Sequence, residues 1–140
     1  MAGTYIDADD LNNVYGTINI AAWSDLTGGK TADDDRIELA IAWAETRVEN
    51  RFRGSRYSVP FSREDGEYDS QLTHWMVVYA GNWLYQSRGI RTGKADADRT
   101  SALLEQMDEE INQVLGGSSR LNAGLVSSSA PTAPIVVKPA

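Results

Sequence analysis

The chain has 140 residues, 13 Lys and Arg against 20 Asp and Glu, a formal net charge of -7 and a pI near 4.6. That length accommodates one hydrophobic core rather than two, and the acidic balance argues against a protein that wraps the phosphate backbone, since such affinity comes from Lys and Arg displacing counterions. The absence of cysteine excludes disulfide frameworks, thiolate metal sites and cysteine nucleophiles, and the single His74 excludes a cluster of histidine ligands.

No run of about eighteen apolar residues is present, and MAGTYIDADD has neither the basic start nor the apolar stretch of a secretory signal. A soluble chain made in a cytoplasm, without membrane association, is expected. From Asp7, DADDLNNVYG predicts a short helix capped by Asp7, favoured at its positive end by Asp9 and Asp10 and ended by Gly16. The next stretch has scattered apolar residues (Ile18, Ile20, Trp23, Leu26) before Gly28-Gly29 and predicts a packed loop lying as a flap over the core.

Ile37, Ala40, Ile41, Ala44, Val48 and Phe52 recur at three- and four-residue steps, with Glu38, Glu45, Arg47, Glu49 and Arg51 on other faces. This predicts a long amphipathic helix with Thr31 as cap candidate, Asp33, Asp34 and Asp35 at its start, and Arg51, Arg53 and Gly54 at its end. The following RGSRYSVPFSREDGEYD, with Gly54, Pro60 and Gly66, predicts an extended loop. A second long helix is expected from Asp69 to Ser87, central and broadly aromatic through Trp75, Tyr79 and Trp83. A third places Leu103, Leu104, Met107, Ile111, Val114 and Leu115 on one side and stops at Gly116-Gly117.

The expected fold is therefore all-α: a small bundle of three long helices and a short N-terminal one over residues 1–117, followed by an extended tail at 118–140. That tail is rich in Ser, Ala and Pro and is expected to order only against a partner. Its end, Pro134, Ile135, Val136, Val137 and Lys138, is β-prone and basic, a candidate for docking as an added strand.

Few residues point to chemistry. Consecutive carboxylates Asp33–Asp35 project about 100° apart on a helix and do not converge on one ion. The loop Glu64 to Asp69 lacks the ligand alternation of a calcium loop. Glu105, Asp108, Glu109 and Glu110 fit a wet helix face better than an acid–base pair. His74 has no accompanying nucleophile or acid pattern, so packing or one hydrogen bond is expected of it. Gly28-Gly29-Lys30-Thr31 echoes a phosphate loop, but the position of the first required glycine is Ser24 and no strand leads in. No catalytic residue, metal site or cofactor is expected, and no enzymatic activity.

Arg47, Arg51, Arg53, Arg56 and Arg63 form the one basic concentration. They support an alternative reading, a small DNA-packaging or DNA-binding regulatory protein, although the helix that follows them is aromatic rather than a basic recognition helix. Four tryptophans and six tyrosines are many for one modest core, and aromatic excess is common where chains meet.

The order Tyr5, Asp10-Leu11, Tyr15-Gly16, an apolar loop with Trp23 and Leu26, a long helix, then Phe52-Arg53-Gly54-Ser55-Arg56-Tyr57-Ser58-Val59-Pro60-Phe61 resembles the head-tail connector (adaptor, head-completion) proteins of tailed phages, including the Mu-like family. Tyr5 to Gly16 fits that family's Y-x-x-x-x-D-L-x-x-x-Y/F-G segment, Ala40 to Val48 its A-I-x-x-A-x-x-x-V/I helix, and Arg53 to Phe61 its G-R-Y-x-V/L-P-F/L loop. The aromatic helix around Trp75 to Tyr85 and the long Pro-containing tail depart from the pattern. The resemblance implies a virion structural protein at the head-tail junction, forming a homo-oligomeric ring of about twelve copies built on head-to-tail contacts. Its implied partners are the portal above it, tail or stopper proteins below it, and DNA passing through an acidic channel. Arg56, Tyr57, Val59, Pro60 and Phe61 are the candidate loop at its assembly interface.

Overall fold

A computed structural model describes residues 3–27, 30–64, 66–87 and 94–125, with residues 94–99 as backbone only. Its elements are five helices: α1 (Ala8–Tyr15), α2 (Thr17–Ser24), α3 (Asp34–Phe52), α4 (Ser70–Gln86) and α5 (Lys94–Leu115). The chain is an all-α small bundle, as its periodicity predicts, with one more helix than expected and with the long helices slightly shorter.

Local chemistry sets the helix ends. Asp7 caps α1 in a reciprocal capping box with Asp10, and Gly16 (φ 91) turns the chain directly into α2. α2 replaces the expected loop. Its eight residues bury Ile20, Ala21, Trp23 and Ser24, so a short segment that is apolar or neutral on nearly every face shows no amphipathic period. α3 starts later than the Thr31 cap candidate implies. Asp33 is the cap, accepting from the Asp35 and Arg36 amides, while the Asp33 amide donates to Ser24 Oγ (3.0 Å) and ties the end of α2 to the start of α3. α4 is capped by Asp69. α5 ends in a Schellman turn, Gly117 N to Val114 O (3.2 Å) and Ser118 N to Gln113 O (2.9 Å), with Gly117 at φ 90.

α4 is the central helix and packs against the other four. Its middle is buried continuously from Trp75 to Gly81. α3 lies antiparallel beside it: Arg36 reaches Ser87 O (3.0 Å), Trp43 meets Tyr79 (5.8 Å), and Phe52 stacks on Trp75 (5.8 Å). The loop between α3 and α4 carries a cis Val59–Pro60 bond and a tight turn closed by Glu64 and Glu67.

Residues 118–125, the first part of the tail, lie against the loop between α3 and α4. They fold back along the loop, with Leu121 7 % exposed and its amide donating to Tyr57 Oη (2.8 Å). Asn122 N donates to Asp69 Oδ2 (2.7 Å), Gly124 N to Ser62 Oγ (2.7 Å) and Ser58 N to Gly124 O (2.9 Å), leading to an antiparallel bridge between Tyr57 and Leu125. One buried leucine and a set of backbone bonds hold this segment, which hydropathy registers poorly. Residues 118–125 thus pack against the helical domain.

Candidate assembly surface

The three segments that carry the resemblance meet at one tyrosine. Tyr5 Oη donates to Glu49 Oε2 on α3 (2.7 Å) and accepts from Phe61 N of the loop (3.0 Å), while the Tyr5 ring packs edge-on against Phe61 and Tyr68. Burial first, and the Glu49 carboxylate second, raise the Tyr5 phenol above its ordinary pKa. One turn earlier on α3, Glu45 accepts from the amides of Thr4 (3.1 Å), Tyr5 (2.7 Å) and Ile6 (3.1 Å). Glu45 is buried rather than on a solvent-facing side of the helix as its charge suggests. Three N–H donors replace the water that a buried carboxylate would otherwise require.

The expected interface loop divides into inner and outer residues. Tyr57 and Phe61 are buried in the chain's own core against Phe52 (5.8 and 5.5 Å). Arg56 is exposed but tethered, donating to Val114 O (2.6 Å) and Ser119 O (3.3 Å) and lying over the Tyr57 ring (4.8 Å). Pro60 is exposed and Val59 half-buried, so these two form the loop's apolar outer edge. The tail candidates Pro134, Ile135, Val136, Val137 and Lys138 lie outside the described residues.

The basic concentration is engaged within the chain. Arg51 binds Tyr79 Oη (3.2 Å), Asp108 (3.1 Å) and Asn112 (3.2 Å). Arg53 binds Asn50 (2.9 Å) with Glu49 nearby at 3.9 Å. Arg47 lies over Trp43 (5.4 Å) and Arg63 over Tyr68 (4.9 Å). These contacts fix the guanidinium groups against their own fold.

The remaining polar candidates fall apart as sites. Asp25 accepts from the Thr27, Lys30 and Thr31 amides and from Thr27 Oγ1, so the N–H groups nearest the phosphate-loop echo already hold a carboxylate. Asp34 and Asp35 are exposed in the first turn of α3. Glu110 accepts from Trp75 Nε1 (2.9 Å), and Glu105 and Glu109 face solvent. His74 is exposed on α4 beside the buried Trp75. It borders a shallow groove with Asp10, Asn13 and Ser70. Among the described residues no three His, Asp or Glu side chains converge on a point where a metal ion would sit.

The aromatic excess is mostly absorbed by the core. Trp23 and Trp75 are buried, and half-buried Trp83 lies beneath Arg36 (5.3 Å). Trp43 is the tryptophan at the surface, 37 % exposed, with Leu39 one turn earlier at 59 %. Ile18, Leu26 and Leu125 are the other large apolar side chains exposed among the described residues. No helix among those residues is long and apolar enough to cross a membrane. No protein-family model matches the chain, and no curated protein matches it.

Proposed function

We propose that the chain is a structural subunit of a tailed-phage particle, a head-tail connector that forms a ring beneath the portal and joins the DNA-filled head to the tail. The observation that carries this reading is the convergence at Tyr5. The N-terminal segment, the α3 motif and the Arg53 to Phe61 loop, separate in sequence, share one hydrogen-bonded cluster through Tyr5, Glu45 and Phe61, with Glu49 just beyond the motif joining it. The residues behind the resemblance are thereby explained as the framework of one small domain.

Two further features support a structural rather than a catalytic role. Among the described residues, the polar side chains outside that framework cap helices, pair with neighbours on the surface, as Ser62 does with Glu64 (2.9 Å), or face solvent. The net charge of -7 suits the lining of a channel along which DNA slides without sticking. In this reading the partners are the portal, further copies of the chain and the tail or stopper proteins, and the location is the virion's head-tail junction.

Mass photometry of the chain mixed with the portal ring encoded by the same genome tests the reading. A mass increase equal to a whole ring of subunits is the expected outcome. No increase, combined with salt-dependent retardation of DNA in a gel, would replace it with the DNA-handling reading.

A further inference from the structure

α3 carries a stripe that remains exposed, although Trp43 within it also meets Tyr79 and lies under Arg47. Leu39, Ala42, Trp43 and Thr46 are all exposed, and at about 100° per residue they share one face of the helix. Along one side of the stripe runs a shallow groove of ≈ 350 Å³ between the helix and the extended N-terminus, lined by Gly3, Thr4, Glu38 and Ala42 among others. Asp34 and Asp35 lie at the stripe's N-terminal end, so its apolar centre is bordered by the carboxylates of Asp34, Asp35 and Glu38.

We propose that this stripe is the dock for residues Pro134–Lys138 of a second copy of the chain. Two observations bear on that occupant, and the first is chemical complementarity. Ile135, Val136 and Val137 form an apolar run, and Lys138 is the single charged side chain in residues 126–140, within a chain of net charge -7. An apolar triplet followed by one cation matches an apolar stripe ending in carboxylates. Pro134 and Pro139 bracket the run and confine any extended pairing to the residues between them.

The second observation is reach. Leu125 is held at Tyr57, beyond the C-terminal end of α3, whereas Leu39 lies near the N-terminal end. The helix rises about 20 Å between Leu39 and Phe52 at 1.5 Å per residue. Residues 126–133 link Leu125 to Pro134, nine Cα steps that span at most about 30–32 Å when fully extended. The tether therefore exceeds the rise and reaches either the chain's own stripe or that of an adjacent copy; the ring reading favours the adjacent copy, and a double-cysteine chain distinguishes the two.

A tail leaving one end of a subunit and seating on the opposite end of the next is a head-to-tail contact, repeated by every copy and closing where the rotation permits. The inference rests on the ring reading for that closure. The contact itself needs no portal.

The cysteine-free sequence makes the test clean. Full-length Ala42→Cys and full-length Val136→Cys are mixed under copper–phenanthroline oxidation, and disulfide-linked pairs are followed on a non-reducing gel. The mixed pair is expected to form about tenfold faster than either self-pair, because docking raises the local thiol concentration. Adding Lys138→Glu to the Val136→Cys chain slows it by about threefold, and Asp35→Lys in the partner restores the rate. Mixed pairs no faster than self-pairs overturn the proposal, and so does a double-cysteine chain that closes only upon itself. Cross-linking without portal binding would strike the connector reading alone, and portal binding without cross-linking would strike this dock alone.

Discussion

The ring of Tyr15 approaches Gly81 so closely that a Cβ at position 81 would overlap the ring's Cδ2, Cε2 and Cζ atoms. This approach lets α1 settle onto the centre of α4, where Tyr15 Oη also donates to Val78 O (3.3 Å). Alanine in place of glycine within a helix ordinarily gains about 1 kcal/mol. Here the overlap falls on a buried ring with no room to withdraw, and overpacking costs of about 1–3 kcal/mol or more apply. Gly81→Ala is therefore expected to lower the melting temperature followed by circular dichroism. In a Tyr15→Ala background the same change should become neutral or stabilising. A stabilising effect with Tyr15 in place would refute the packing argument.

Glu45 is expected to hold the N-terminal segment on the domain. Glu45→Ala leaves three amides without their acceptor and should cost about 2–3 kcal/mol, since hydrogen bonds to a charged partner are stronger than neutral ones. Hydrogen exchange reads this locally: the amides of Thr4, Tyr5 and Ile6 should lose protection before α4 does. Equal loss of protection throughout the chain would mean that Glu45 supports the whole core rather than this clamp.

Tyr5 makes the fold sensitive to alkali. Its pKa is raised in the folded chain, chiefly by burial and then by the Glu49 hydrogen bond. The folded state therefore keeps the phenolic proton where the unfolded state releases it. The contribution is intact below the unfolded value of about 10 and is lost progressively as the pH rises from there towards the folded value. Tyr5→Phe removes this titration, so its stability should fall less steeply above pH 10 than that of the parent chain in urea melts. Parallel pH profiles for the two would remove Tyr5 from the account.

Which parts were legible in the sequence follows from the physics of each. α3 and α4 announce themselves because Ile37 to Phe52 and Leu72 to Leu84 maintain a helical period long enough to read. α2 does not, since eight residues with little polarity fit a buried loop as well as a buried helix. Glu45 was misleading for a related reason: in a helical pattern a carboxylate signals the wet face, and only the fold brings the Thr4–Ile6 amides to it. Tyr57 and Phe61 stand in a motif that resembles an interface loop, and their burial depends on Phe52 lying beneath them. Trp43 was visible as part of an aromatic excess, but its position on the surface needed the packing of α4 to be known.

The final prediction separates the tail into a folded and an appended part. The core is drawn from Ile6 to Leu121, so deleting Ser127–Ala140 should leave the helical circular dichroism intact and change stability by less than about 0.5 kcal/mol. Deleting Ser118–Ala140 is different. It removes Leu121 from the core, worth about 1.5–3 kcal/mol on burial, and takes one hydrogen-bond partner each from Tyr57 Oη, Ser62 Oγ and the Ser58 amide. It also exposes the underside of the loop that Tyr5 and Phe52 hold in place. The longer deletion should therefore lower the melting temperature well below that of the shorter one, and Leu121→Ala in the full chain should reproduce a large share of the loss. If both truncations melt alike, the return of residues 118–125 onto the loop contributes nothing to stability, and the boundary of the stable domain moves back to Gly117.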